Sequence, residues 1–256
     1  QGFLRKEETR LVVNIFLDLD RTTIYSYHRF TPKSELMVEL FEEKPLSFMT
    51  RKSFYTLQYL IQRKDVRVIV NSTRRPDQFQ RLLLPRFQYA LLSNGGRLFI
   101  DSHESMEWRQ LSDDAFQQAL PELKTAEQIM QSYTDQIKWC DNRFLRAKTG
   151  AHDSLKDELN TKLKDSVVTV RTYEEFVSVF PVVFDKGTVL KEFNERFPAD
   201  KTIAAGDDTI DFPMADFADV FLTNNSECRK ANVILFDKPI FSDDMFDYIT
   251  DTLAAV

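Results

Sequence analysis

Short apolar runs alternate with amphipathic stretches along most of this chain. The first clear run, residues 11–17, is rich in β-branched and aromatic residues and stops abruptly at Asp18-Leu19-Asp20. Continuous apolar character over so few residues fits a parallel strand covered on both faces. A helix is expected over residues 33–43, with Thr31 as N-cap and Pro32 in its first turn. Another is expected over 53–64, where Phe54, Leu57 and Ile61 share a face. A second strand, 66–70, ends in Asn71-Ser72-Thr73, and a helix starting near Pro76 carries Phe79, Leu82 and Leu83. A third strand, 89–92, ends in Ser93-Asn94-Gly95-Gly96. Strand, helix and strand in this order are the pattern of a parallel α/β sheet.

The pattern changes after Arg97. A strand at 98–100, a long helical region at 113–136, a strand within 137–145, a helix at 154–164 and a β-rich stretch at 167–170 read as a separate α+β unit. The earlier grammar returns with a strand at 181–184 that runs into Asp185-Lys186-Gly187, then a helix over 188–197. Strands at 202–205, 220–223 and 233–236 follow, the first ending in Gly206-Asp207-Asp208, and a terminal helix spans 242–253. The expected architecture is therefore α/β: a Rossmann-like, doubly wound parallel sheet formed by residues 1–97 and 181–256, interrupted by an α+β insert at 98–180.

Composition narrows the function. Hydrophobic residues make up 43% of the 256, enough for a substantial core, and the net charge of −6 argues against a general nucleic-acid or anionic-membrane binder. No apolar stretch approaches the roughly 20 residues that span a bilayer. Two cysteines, Cys140 and Cys228, make no disulfide framework, so a reducing, cytoplasmic setting is the expectation. The three histidines have no zinc-site spacing.

Four apolar runs stop at reactive polar residues: Asp18 and Asp20, Ser72 and Thr73, Asp185 and Lys186, and Asp207 and Asp208 with Asp211. In open α/β sheets, ligands bind beyond the carboxyl ends of the strands. Asp18 and Asp20 lie two apart, on one side of an extended chain. Carboxylates that close need a cation between them, or else they cap the following turn. Oxygen donors suit Mg²⁺, which often also takes substrate phosphate as a ligand. A carboxylate can attack phosphorus, and a second one can protonate the leaving oxygen and then deprotonate water. Thr73 and Lys186 offer a hydroxyl and a compact cation to an anionic group in transfer.

These segments resemble the haloacid dehalogenase superfamily of phosphotransferases. Asp18-Leu19-Asp20-Arg21-Thr22 is similar to its D-x-D-x-T motif, Asn71-Ser72-Thr73 to its second motif, Lys186-Gly187 to its third, and Gly206-Asp207-Asp208-Thr209-Ile210-Asp211 to its G-D-x-x-x-D. The resemblance implies Asp18 as nucleophile and Asp20 as general acid and base. It implies Thr73 and Lys186, with Arg74 beside them, as phosphate-binding residues. It implies Mg²⁺ held by Asp18, Asp207, Asp211 and the backbone carbonyl of Asp20. The insert falls where that family carries a C2-type cap, of the kind found in Cof-type and sucrose-phosphate phosphatases, and Asn94-Gly95-Gly96 resembles the turn preceding such caps.

The implied activity is Mg²⁺-dependent hydrolysis of a small phosphorylated metabolite such as a sugar phosphate, by a monomer or weak homodimer. A sugar-phosphate mutase and a non-catalytic phospholigand-binding module are the alternatives. Asn94, Gly95, Arg143 and Arg146 are candidate substrate contacts. Three positions depart from the family pattern: Arg21 and Arg74 stand where glycine is usual, and Ile210 where asparagine is frequent. Each arginine either adds an anion contact or points to solvent.

Overall fold

A computed structural model describes residues 11–29, 35–164 and 166–255. In chain order its elements are β1 (Val13–Leu17), β2 (Tyr25–Ser26), β3 (Glu35–Phe41), β4 (Lys44–Thr50), α1 (Arg51–Gln62), β5 (Val66–Asn71), α2 (Pro76–Phe79) and β6 (Tyr89–Leu92). They continue with β7 (Arg97–Ile100), β8 (His103–Glu104), α3 (Met106–Gln131), β9 (Ile137–Cys140), β10 (Phe144–Lys148), α4 (His152–Lys162), β11 (Val168–Tyr173) and β12 (Phe176–Pro181). The chain closes with α5 (Lys186–Arg196), β13 (Lys201–Ala205), β14 (Val220–Thr223), β15 (Val233–Leu235) and α6 (Ser242–Ala254).

The main sheet has the order β15-β14-β13-β1-β5-β6-β7-β8. Pairing is parallel from β15 through β6 and antiparallel at β7 and β8. All five residues of β1 are buried, as its apolar run requires. Their side chains alternate between two cores. Val13, Ile15 and Leu17 join the layer containing Leu57 and Leu60 of α1 and Phe246 and Ile249 of α6. Phe16 points the other way, among Val189, Leu190 and Phe193 of α5 and Trp108 of α3. From β1 the chain builds outward through β5 and β6, then returns to place β13 on the opposite side of β1. The strand order therefore reverses between β1 and β13, the place where open sheets leave a crevice at their carboxyl ends.

A four-stranded antiparallel sheet, ordered β11-β12-β10-β9, makes up the second unit. One face packs on α3 and α4 through Leu145, Ala147, Val168, Val170, Val177 and Val179. The alternation of β10, β11 and β12 turns Phe144, Arg146, Tyr173 and Phe176 to the opposite face. The expected boundary at residue 98 falls inside β7, which pairs with β6 in the main sheet.

Several expected elements differ. Residues 35–41 form a strand, not a helix; Thr31 and Pro32 lie outside the described residues. Glu, Leu and Met favour helices, but β3 pairs with β4 across Glu42 and Glu43 at φ 49° and 63°. Pairing in a hairpin overrides that intrinsic preference. With β2 it makes a three-stranded sheet, ordered β2-β4-β3. The helix at Pro76 is only four residues long, because Leu83 N–H donates to Val38 O of the hairpin instead of continuing the helix.

Residues 137–145 fold as two strands joined at Asp141 and Asn142, with φ of 51° and 50°. The long helix starts at Met106 rather than near 113, because Ser105 caps it by accepting from Trp108 N–H, and it ends at Gln131. Residues 182–184 make a single 3-10 turn after β12, not a core strand. The β-branched Val182 and Val183 find no partner strand there and are exposed. Strand propensity expresses packing against neighbours, and the pairing with β11 ends here, its last bond being Val182 N–H to Val167 O.

Candidate active site

Asp18 is the first residue past β1, and Asp207 follows Gly206 past the neighbouring β13. Asp18 N–H donates to Ala205 O, which ties the two strand ends together. The chain then turns tightly. The N–H groups of Thr22, Thr23 and Ile24 all converge on Leu19 O, and Thr23 Oγ1 donates to Asp18 O at 2.6 Å. Tyr25 fixes the far side of this turn. Its hydroxyl donates to Thr22 O at 3.0 Å and accepts from the N–H groups of Phe241 and Ser242. Burial pushes that phenol up to about 12.

Lys186 is not placed as its sequence context suggests. It does not terminate a core strand; it opens α5, whose N-cap Asp185 accepts from Gly187 N–H. Lys186 is 1% exposed, and its Nζ donates to Asp18 Oδ1 at 2.7 Å and to Asp211 Oδ1 at 2.5 Å. The other oxygen of Asp211 accepts from the N–H groups of Asp207 and Asp208 at 3.2 and 3.1 Å, which shapes the loop after β13. Gly187 is needed for this approach: a Cβ there would lie 2.2 Å from Pro213 O.

Carboxylate oxygens of Asp18, Asp207 and Asp211 come within 4.8 Å of one another. Burial pushes the Asp18 carboxyl up to about 7, against the pull of Lys186, with Asp211 and Asp20 adding to the rise. Burial likewise pushes Asp207 up to about 8, helped by Asp211 and Asp18. Burial works against the Lys186 ammonium, but Asp18 and Asp211 outweigh it and hold its pKa above the ordinary value. Lys186 on Asp18 and Asp211, with one arginine, Arg21, on Asp207, leaves three clustered carboxylates facing two cations, and hard oxygen donors at this spacing fit a small divalent cation.

The second aspartate of the first motif is placed differently. Asp20 has a half-exposed side chain and takes no part in the triad; Arg74 Nε and Nη2 grip its carboxylate at 2.8 and 2.7 Å. The same guanidinium donates to Glu39 at 2.9 and 3.0 Å. Glu39 is fully buried in β3, and Arg81 and Ser47 also donate to it. Burial raises the Glu39 carboxyl, but those hydrogen bonds bring it below the ordinary carboxylate range. Arg74 thus orients Asp20 from a carboxylate anchored in the hairpin. Only the lone acid inside the apolar run Leu36-Met37-Val38-Glu39-Leu40 hinted at this in the sequence.

Neither arginine at the departing positions points to solvent. Arg21 adopts a left-handed φ of 65°, the region that favours glycine. From there its guanidinium reaches Asp207 at 2.8 Å, Asp208 at 2.7 Å and Glu174 of the β11–β12 turn at 2.5 Å. It therefore joins the triad to the second unit, as does Thr209 Oγ1, which donates to Thr172 O. Ile210 packs with Phe144, Phe180 and Phe184 at the junction of the two units, an apolar role that explains the absence of an amide there.

A cavity of about 460 Å³ opens at Asp20 and Arg21, with Thr73, Arg74, Arg81, Arg146, Tyr173 and Glu174 also in its lining. Of the candidate substrate contacts, only Arg146 lines it. Asn94 is buried and donates to Phe184 O at 2.9 Å, bracing the return of the chain from the insert. Gly95, at φ 82°, accepts from Trp108 Nε1. Arg143 pairs with Asp113 at 2.5 Å beside Gly96.

No family model matches the sequence, and no curated protein does. Solved structures do match. The sucrose-phosphatase of Synechocystis sp. PCC6803 is 11% identical with a TM-score of 0.65, over 94% of this chain and 98% of that one. A haloacid dehalogenase-like hydrolase from Bacteroides thetaiotaomicron is 16% identical with a TM-score of 0.57, over 93% and 99%. Aspergillus fumigatus trehalose-6-phosphate phosphatase is 13% identical with a TM-score of 0.55, over 93% of each chain. With the sheet order, the inserted unit and the carboxylate cluster at the switch point, this chain has the fold of the haloacid dehalogenase superfamily phosphatases.

Proposed function

We propose that this chain hydrolyses a small phosphomonoester, with Asp18 as nucleophile and Mg²⁺ held by Asp18, Asp207 and Asp211. The observation that carries the reading is the Asp18–Lys186–Asp211 arrangement: a buried carboxylate held by a buried ammonium at the strand-order reversal. Mg²⁺ at the triad would offset charge on the phosphoryl oxygens and on the carboxylates around it.

The chain's own residues account for the proton and bond changes. An Asp18 carboxylate oxygen forms a bond to phosphorus while the bond to the leaving oxygen breaks. Asp20, in its protonated form with one of its two bonds from Arg74 opened, gives its proton to that oxygen. Water then attacks the aspartyl-phosphate, Asp20 takes up the water's proton, and the Asp18–phosphorus bond breaks to release inorganic phosphate. Lys186 keeps Asp18 in line, and Thr73 offers its hydroxyl to the transferred group. Arg74 holds the Asp20 carboxylate toward the cavity through its bidentate grip. The unit from α3 to β12 closes over the cleft as a cap, and Arg21 and Thr209 bridge it to the core.

The test is Mg²⁺-dependent release of phosphate from p-nitrophenyl phosphate. Asp18→Asn should abolish turnover while the circular dichroism spectrum stays unchanged. Turnover near wild type in that variant would overturn the nucleophile assignment, and isomerised phosphate without release would point to a mutase.

A further inference from the structure

The face of the second sheet that looks toward the cleft is cationic. Its strands β10, β11 and β12 present Arg146, Lys148 and Arg171 on that side, and no carboxylate. Two of the three cations are already balanced. Arg171 pairs with Asp185 at 2.7 Å, and Lys148 with Glu175 at 2.9 Å. Arg146 is different: among the described residues it has no hydrogen-bond or ion-pair partner, and its Nε is buried and unsatisfied. Three rings hold its guanidinium instead, Tyr173 at 5.0 Å, Phe176 at 5.2 Å and Phe144 at 5.9 Å. Tyr173 and Phe176 are themselves stacked, with centroids 5.3 Å apart.

The cavity at Asp20 is lined by four arginines, Arg21, Arg74, Arg81 and Arg146. Carboxylates occupy the first three: Asp207, Asp208 and Glu174 on Arg21, Asp20 and Glu39 on Arg74, and Glu39 on Arg81. Of these four arginines, Arg146 is the one with no carboxylate on it among the described residues. Aromatic faces fix the plane of a guanidinium without using its N–H groups. A fixed, unpaired fork in a partly buried cavity matches an oxyanion, which accepts two parallel N–H bonds. A neutral hydroxyl matches it poorly.

We propose that the substrate's leaving group carries a second anionic group, remote from the phosphoryl group, which Arg146 binds. This rests on the phosphomonoester reading above, since Asp20, which lines the same cavity, marks the leaving-group end. A carboxylate and a second phosphate share the required chemistry.

Two matched pairs separate these sources. 3-Phosphoglycerate and glycerol 3-phosphate differ by a carboxylate. Fructose 1,6-bisphosphate and fructose 6-phosphate differ by a phosphate. The wild-type enzyme with Mg²⁺ should favour the more anionic member of at least one pair by about tenfold or more in kcat/KM, as a charge-assisted hydrogen bond to a ligand implies. Arg146→Met should erase that ratio through KM, and Arg146→Lys should retain part of it, having charge without the fork. Turnover of p-nitrophenyl phosphate with no preference in either pair would overturn the inference and leave the proposed activity standing. If no ester is turned over, calorimetric binding of the same pairs to Asp18→Asn reads the subsite directly. Equal affinities within both pairs would then overturn it.

Discussion

Replacing Lys186 by Met tests the electrostatic core of the site most directly. Methionine fills nearly the same volume with no charge, so the buried space stays filled while Asp18 and Asp211 lose their shared cation. Lys186 is 1% exposed, so water cannot replace it. Breaking a buried ion pair by removing one partner costs about 3–5 kcal/mol. A protein of this size loses about 2–4 °C of Tm per kcal/mol, so the metal-free variant should melt roughly 6–20 °C lower at pH 8.

The loss should depend on pH, with a sign fixed by linkage. The Asp18 carboxyl stands at about 7 in the folded protein against 3.8 for the free group. A carboxyl raised on folding favours the folded state below its unfolded value, and that contribution disappears as pH rises through the folded value. Removing Lys186 moves Asp18 further up, so at pH 5 it is protonated and needs no cation. The Tm difference between variant and wild type should therefore be much smaller at pH 5 than at pH 8. Differential scanning calorimetry with EDTA at both pH values measures it. An unchanged Tm at pH 8, or the same loss at both pH values, would refute the reasoning.

Other perturbations separate the remaining parts of the site. Mg²⁺ should raise the wild-type Tm more at pH 8 than at pH 5, because protons compete for Asp18 and Asp207 as pH falls through about 7 and 8; thermal shift with and without EDTA reads this. Glu39→Ala leaves Arg74 and Arg81 without their buried acceptor and should cost about 2–3 kcal/mol in urea denaturation, with kcat falling more than KM changes as Asp20 loses its orientation. Gly187→Ala places a methyl group 2.2 Å from Pro213 O and should lower stability by about 1–3 kcal/mol and reduce turnover by shifting Lys186. Arg21→Gly frees Asp207 and relieves a left-handed residue, so Mg²⁺ should bind more tightly by calorimetry while the cap loses its Glu174 tether.

Much of the main sheet was legible because its strands are buried on both faces. β1, β5, β6, β13 and β14 read as continuous apolar runs that end at polar residues, and a buried parallel strand has little other way to be written. Residues 35–41 were misread because a short segment of Glu, Leu and Met satisfies helix and strand periods alike, and the pairing with β4 lies outside its own sequence. Val182 and Val183 failed for the converse reason: β-branched residues favour a sheet only where a neighbouring strand exists.

The same division runs through the site. By itself the sequence marked Asp18, Thr73, Asp207 and Asp211 after buried strands, because residue chemistry and strand termination are both local properties; it also named Lys186, but set it at a strand end where the chain opens a helix. What only the tertiary structure decided is who meets whom. It brings Lys186 against Asp18 from 168 residues away, turns Asp20 onto Arg74 and out of the carboxylate triad, and ties Arg21 to Glu174 across 153 residues. It also leaves Arg146 without an ion-pair partner among the described residues, set among aromatic rings, while Arg171 and Lys148 beside it are neutralised. Such pairings depend on the order of strands in the sheet and on burial, which sets the strength of each charge, and neither is written in any one stretch of the chain.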